Sequence, residues 1–209
     1  MTPAALLFDF NGTLSDDEHI QCEIYQEIFA EEGKPLGQAD YFAELAGLSD
    51  PEIVRNWLGE ERPELVAERL SRFQARAADG STVGPAAREA VRYAAKRAQL
   101  AVVSGAARVE IESVLTAAGL APLVSLVVAA DDVEAGKPDP AGYIRALELL
   151  DRRPDEAVAF EDSEAGVAAA KAAGLRCIAL EGTVEIDRLA AADEIVGALD
   201  VELMQRLLG

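Results

Sequence analysis

Four short stretches carry the side chains able to do chemistry, and each follows an apolar run. Asp9 ends Leu6-Leu7-Phe8 and is followed by the turn pair Asn11-Gly12. Ser104-Gly105 follows Ala101-Val102-Val103. Gly136-Lys137-Pro138 comes soon after Leu126-Val127-Val128, and Glu161-Asp162-Ser163 closes Ala157-Val158-Ala159-Phe160. Together they offer a carboxylate, a hydroxyl, an ammonium and an acidic pair. In open α/β sheets, ligands sit beyond the carboxyl ends of the strands, so Asp9 is placed to meet one. Each group also has a plainer reading. Asp9 could open a surface loop at an Asn-Gly turn, and Ser104 could cap the next helix. Lys137 could be solvated, and Glu161-Asp162 could complement a helix dipole. Jointly, at consecutive strand ends, one shared site is the stronger reading.

The elements that must position these groups follow from pattern. Each short apolar run reads as a strand buried on both faces of a parallel sheet. Helical spacing fills the gaps, over about 86–97, 107–118, 140–150 and 164–173, and Cys177-Ile178-Ala179-Leu180 reads as a further strand. Such alternation implies right-handed crossovers and helices on both sheet faces. Between Thr13 and about Ala78 the pattern is helical throughout. Ile20, Ile24, Ile28 and Phe29 mark a helix from near Asp16 to Gly33, and Tyr41, Phe42 and Leu45 form a short periodic face. Ser49-Asp50-Pro51 is a start signal for a helix carrying Ile53, Val54 and Trp57. Pro63 begins another, whose inward residues are read as Leu65, Val66, Leu70 and Phe73. Residues 79–85 are turn-rich and read as a linker. The expectation is an α/β, Rossmann-like parallel-sheet core of residues 1–14 and 85–209, with an all-helical insert over 15–84.

Composition narrows the function. Of 209 residues half are hydrophobic, which allows a sizeable core. The net charge of −19 argues against sequence-independent binding to nucleic acid or anionic membranes, which needs a basic surface. An anionic substrate would need a local cation, and Lys137 is one of only four lysines. Cys22 and Cys177 share no metal or redox spacing and read as buried small hydrophobes. His19 is the only histidine, which excludes schemes built on several. With no secretory leader pattern and no apolar run long enough to span a bilayer, a cytoplasmic location is expected.

The four stretches, in order, resemble the four signature motifs of the haloacid dehalogenase superfamily. Asp9-Phe10-Asn11-Gly12-Thr13 is similar to its Asp-x-Asp-Gly-Thr motif. Ser104, Lys137 in Gly136-Lys137-Pro138-Asp139-Pro140, and Glu161-Asp162-Ser163-Glu164-Ala165-Gly166 resemble the other three. The form is that of the β-phosphoglucomutase-like and phosphoglycolate-phosphatase-like branch, in which the insert is a small cap domain. The resemblance implies a Mg²⁺-dependent phosphohydrolase acting on a small phosphorylated metabolite. In it Asp9 attacks phosphorus and forms an aspartyl-phosphate. It further implies Asp9, the Asn11 carbonyl and Asp162 as metal ligands, with Glu161 a ligand or its outer partner. Lys137 would offset negative charge, while Ser104 and N–H groups near Phe10, Asn11 and Gly105 would hold phosphoryl oxygens.

Asn11 departs from the pattern. The family usually has a second Asp there, which protonates the leaving oxygen and then activates water. An amide has no proton to give at neutral pH, and acid–base help is worth roughly two to four orders of magnitude. Slow turnover is therefore one expectation, and a catalytically impaired phospho-ligand-binding protein is the alternative. Dehalogenase-like and phosphonatase-like chemistry also lack the second Asp. The first does not need the metal that Glu161-Asp162 suits. The second needs a cap lysine, for which Lys34 in a loop is the one candidate. A mutase reading is weakened by Asn11 and by the cap turn Gly47-Leu48-Ser49-Asp50, which carries no cation. Glu18, His19 and Gln21 lie on the helix entering the cap and could face the site. Trp57 and Phe73 read as cap core. Hinges are expected near Leu14-Ser15 and over Ser81–Gly84.

Overall fold

A computed structural model describes residues 2–209. The strands β1 (Ala5–Phe8), β2 (Gln99–Val103), β3 (Leu126–Val128), β4 (Ala157–Glu161), β5 (Arg176–Leu180) and β6 (Glu194–Val196) pair in parallel, in the order β3-β2-β1-β4-β5-β6. The sheet's two faces follow from the alternation of its side chains. Leu6, Phe8, Val102, Val158, Phe160 and Ile178 point to one side. Ala5, Leu7, Ala101, Ala159, Cys177 and Ala179 point to the other. Phe8 and Phe160 sit directly opposite each other on β1 and β4 and stack, with ring centroids 4.8 Å apart.

The insert leaves the sheet straight after β1. It contains α1 (Glu18–Glu31), the short α2 (Gln38–Asp40) running into a π-helical turn at Tyr41–Leu45, α3 (Asp50–Leu58) and α4 (Pro63–Ala77). Ser49 and Glu52 form a capping box at the start of α3, as the Ser-x-x-Glu spacing allows. After the linker come α5 (Pro85–Ala94), α6 (Arg108–Ala117), α7 (Ala141–Leu150), α8 (Glu164–Ala172) and α9 (Val201–Leu208). Helices α5, α6 and α9 contribute Val91, Val114 and Met204 to the cluster holding Phe8 and Phe160. That cluster continues without a break into the insert through Ile24, Tyr25 and Phe73. Helices α7 and α8 cover the small-residue face with Leu147, Leu150 and Val167.

Three expectations need correction. Helix α1 begins at Glu18 rather than near Asp16, because Asp17 has a non-helical backbone (φ −127°, ψ 3°) and serves as the N-cap position. Helix α5 stops at Ala94 and residues 95–97 are a turn. On α4 the buried face is Leu65, Arg69, Phe73 and Ala77, while Val66 and Leu70 are only half-buried. The buried positions recur at i, i+4 and i+8, with the charged Arg69 among them. Two elements, β6 and α9, have no counterpart in the sequence reading. The first is three residues long and half-buried at the sheet edge, too short for a periodic signal. The second is a compact amphipathic helix capped by Asp200, whose side chain accepts from the Leu203 N–H at 2.8 Å.

Since α9 closes the large-residue face against α5, its buried side chains should count fully toward stability. Met204→Ala is expected to cost about 2–5 kcal/mol, read as a lowered urea midpoint with an unchanged slope.

Candidate active site

The carboxyl ends of β1, β2 and β4 and the loop after β3 meet under the insert. The Asp9 N–H donates to the Phe160 carbonyl at 2.9 Å and the Ser104 N–H to the Val128 carbonyl at 3.0 Å, which ties neighbouring strand ends in register. One cavity is lined by Asp9, Asn11, Ser104, Gly105, Lys137 and Asp162 from the core. From the insert come Glu18, Gln21, Tyr41, Asp50 and Arg69. Glu161, buried beneath it, completes the set of sequence-predicted residues that the fold brings together. Phe10 is the exception, since its side chain is fully buried in the core. Its N–H is directed at the Asp9 carboxylate.

Lys137 Nζ pairs with Asp9 Oδ1 and lies 2.6 Å from Glu161 Oε1. Burial opposes the lysine charge, but Asp9 and Glu161 outweigh it and hold the ammonium firmly protonated. Glu161 Oε1 also accepts from the Tyr143 hydroxyl at 2.5 Å. Asp162 Oδ1 accepts from Thr13 Oγ1 at 3.2 Å. Oxygens of Asp9, Glu161 and Asp162 all lie within 4.8 Å of one another. One ammonium against three buried carboxylates leaves this group short of positive charge. Burial, with the neighbouring acids, raises Asp162 well above the usual carboxylate range and pushes Glu161 up to about 7.

The backbone is shaped to the same end. Gly12 has φ +75°, and a Cβ there would lie 1.9 Å from Asp162 Oδ2. Only glycine lets the first turn pass so close to that carboxylate. Gly47 has φ +85°, and its Cβ would lie 2.6 Å from that of Ser163. The turn of the insert thus rests directly on the fourth stretch. Ser104 Oγ accepts from the Ala106 N–H at 3.1 Å, which leaves its own hydrogen free to donate. Among the described residues, the N–H groups of Asn11 and Gly105 donate to no other protein group, so both are available to an anion.

The insert brings a second charged cluster that the sequence reading missed. Arg69 is fully buried on α4 and pairs with Glu110 on α6, with Gln21 on α1, and with Asp50 at 3.3 Å. Asp50 also accepts from the Tyr25 hydroxyl at 2.6 Å. The amide of Asn11 joins the same network, donating to Asp17 Oδ1 and to Glu110 Oε1, each at 3.1 Å. Arg69 within an apolar i, i+4, i+8 stripe was the available signal; for Glu110, buried in the first turn of α6, nothing in the sequence marked it out. Of the other candidates, His19 is exposed. Lys34 is exposed and lies 5.5 Å from the centre of the Trp57 ring, away from the cavity. Phe73 is core, and Trp57 packs half-buried on Phe29.

The sequence profile described as haloacid dehalogenase-like hydrolase matches residues 6–180, which includes all four stretches. The chain belongs to that family. It is 32% identical to validoxylamine A 7'-phosphate phosphatase of Streptomyces hygroscopicus subsp. limoneus, over 91% of each chain. It is 31% identical to a phosphorylated carbohydrates phosphatase of Thermotoga maritima, over 83% of each. A crystal structure of a CbbY mutant from Rhodobacter sphaeroides, in complex with xylulose-(1,5)bisphosphate, superposes with a TM-score of 0.86 at 29% identity, covering 96% of both chains. With these phosphatases as relatives across most of its length, the family member is an enzyme of the phosphatase kind. No helix among the described residues is long and apolar enough to cross a membrane.

Arg69 holds two buried carboxylates in place, so its removal leaves both uncompensated. Arg69→Met is expected to destabilise the protein by about 3–5 kcal/mol, measured by chemical denaturation. Glu110→Gln in that background should recover part of the loss.

Proposed function

We propose that the protein is a Mg²⁺-dependent phosphomonoesterase that moves the phosphoryl group of a small phosphorylated sugar or polyol to Asp9 and then to water. The observation that carries this is the position of Asp9, which shares one cavity with Lys137, Ser104 and Asp162 beneath the insert, with Glu161 buried below it.

The residues present fit a hard divalent cation. Every donor in the acidic group is an oxygen, the group lacks positive charge, and Gly12 leaves the space that Asp162 occupies. Asp9, the Asn11 carbonyl and Asp162 would hold Mg²⁺. Glu161, already engaged by Lys137 and Tyr143, stands behind them as their partner. Bound there, the ion would neutralise charge on the phosphoryl oxygens and on Asp9. Lys137 supplies the permanent part of that neutralisation. Burial raises the Asp9 carboxyl, and the Lys137 ammonium opposes that rise, favouring the ionised form a nucleophile needs. Ser104 and the N–H groups of Asn11 and Gly105 are set to receive the remaining phosphoryl oxygens before reaction begins. Residues 15–84 act as a cap that excludes water. Its two crossings to the core lie side by side, with the Ser15 and Thr82 hydroxyls hydrogen-bonded at 2.7 Å, which supports a paired hinge.

Substrate choice follows from the insert's charges. Arg69 is committed to Asp50 and Glu110, so among the described residues the cavity offers no unpaired cation to a second phosphate. Monophosphates of neutral or amine-bearing polyols suit it better than bisphosphates.

A panel containing p-nitrophenyl phosphate, pentose and hexitol monophosphates, validoxylamine A 7'-phosphate and xylulose-1,5-bisphosphate tests this. Phosphate release should require Mg²⁺, fall by at least about a thousandfold in Asp9→Ala, and favour monophosphates. Binding without release from any compound would replace the enzyme by the phospho-ligand-binding alternative, which Asn11 favours.

A second check needs no turnover. Mg²⁺ at about one hundred times its dissociation constant should add roughly 2.7 kcal/mol, a rise of several degrees in Tm, and this rise should be lost in Asp162→Asn. An unchanged Tm in the unmodified protein would remove the metal from the proposal.

A further inference from the structure

We propose that Glu18 is the general acid and base of this site, supplying from the first turn of α1 the proton that the amide at position 11 cannot. The inference rests on the phosphomonoesterase reading above.

The amide at position 11 cannot transfer a proton. An amide has no proton to give at neutral pH, and Asn11 Nδ2 is already held between Asp17 and Glu110. An alkyl or sugar oxygen leaving phosphorus still needs a proton, so another cavity group must provide it. The carboxylates can be taken one by one. Asp9 and Glu161 are bound to Lys137, Asp50 is held by Tyr25 and Arg69, and Glu110 by Arg69 and Asn11. Asp162 is held by Thr13 and belongs to the acidic group. Glu18 is different. It is 9% exposed, lines the same cavity as Asp9 and Asn11, and accepts a single hydrogen bond, from the Tyr41 hydroxyl to Oε1 at 2.7 Å. Its Oε2 accepts none from the described residues.

The surroundings suit a group that must both give and take a proton. The negative neighbours of Glu18 are Asp9, Asp17, Glu110 and Asp162; Tyr41 and Arg69 favour its charged form, and Cys22 lies behind it. Burial, moderated by Tyr41, moves its carboxyl up to about 7, close to the operating pH at which such a group works best. The π-helical turn at Tyr41–Leu45 is what brings the tyrosine over it.

The Asp9 carboxylate forms a bond to phosphorus, and the ester P–O bond breaks with its electron pair going to the leaving oxygen. That oxygen takes the proton from Glu18, and the alcohol leaves. Water then attacks phosphorus, gives one proton to the Glu18 carboxylate, and the bond between Asp9 and phosphorus breaks. Phosphate, the Asp9 carboxylate and the Glu18 acid are recovered.

The test compares Glu18→Gln with the unmodified protein on an alkyl monophosphate and on p-nitrophenyl phosphate, whose leaving group departs unprotonated. With the alkyl ester, kcat should fall by about 10²–10⁴ while KM changes little. With p-nitrophenyl phosphate, the first-turnover burst should persist within about threefold, and steady turnover should fall because water attack lacks its base. Adding Asn11→Asp to Glu18→Gln should restore at least about tenfold in kcat, since a carboxyl beside Asp9 can do the same work. A Glu18→Gln protein that keeps its alkyl-ester kcat within threefold would overturn the inference. So would a burst that falls in step with turnover and is not rescued by Asn11→Asp, which marks a structural role. If the unmodified protein gives no burst that depends on Asp9, the phosphomonoesterase reading fails, and this inference with it.

Discussion

Around Asp9 there are more buried negative charges than positive ones, and much of the local structure answers to that. Asp9, Glu161 and Asp162 converge at the ends of adjacent strands, with Lys137 the one ammonium among them. Carboxylates packed this closely are tolerated only if protons, a lysine or a cation offset them. Tyr143 and Thr13 donate into the group from two directions, and Gly12 and Gly166 give up side chains so that Asp162 and Glu161 can fit. The acidic excess is thus built in by backbone choices as well as by side chains.

A second arrangement of charge spans the boundary between insert and core. Arg69 reaches from α4 to Glu110 on α6, Glu110 reaches Asn11 in the first turn, and Asn11 reaches Asp17 at the foot of α1. Asp17 accepts from the Ser15 hydroxyl, whose oxygen can accept in turn from the Thr82 hydroxyl in the returning crossing. Buried polar networks of this kind hold their shape only when each member is satisfied. Here Asn11 and both crossings belong to one network. Any motion of the insert must rearrange bonds that end at position 11. The amide at that position then reads as a structural donor to two carboxylates, a part an aspartate could not play without adding a further negative charge.

Haloacid dehalogenase-like membership, the parallel sheet and the strand-end placement of Asp9, Ser104, Lys137 and Glu161-Asp162 were legible in the chain itself. Each rests on local features: an apolar run of three to five residues, a turn pair, and an order of motifs. Helix starts with a capping box or proline were legible for the same reason, as Ser49 to Glu52 shows. The limits were also local. Helix α1 starts two residues later than Asp16 because Asp17 leaves helical backbone geometry, while the Asp16 N–H meets Thr82, far along the chain. The edge strand β6 is shorter than any periodic signal can register.

Tertiary structure decided what joins the strand ends from outside. Arg69 looks like one more surface charge until α4 is seen to bury Leu65, Arg69 and Phe73 together. Glu110 gains its meaning only from partners 41 and 99 positions away. Glu18 stands out only when every other cavity carboxylate is found to be engaged. The sequence by itself determined which chemical groups gather at the sheet edge, because strand ends and turns are set by neighbours along the chain. It could not determine how many charges face one another there, because pairing across a buried space depends on the path of the whole insert.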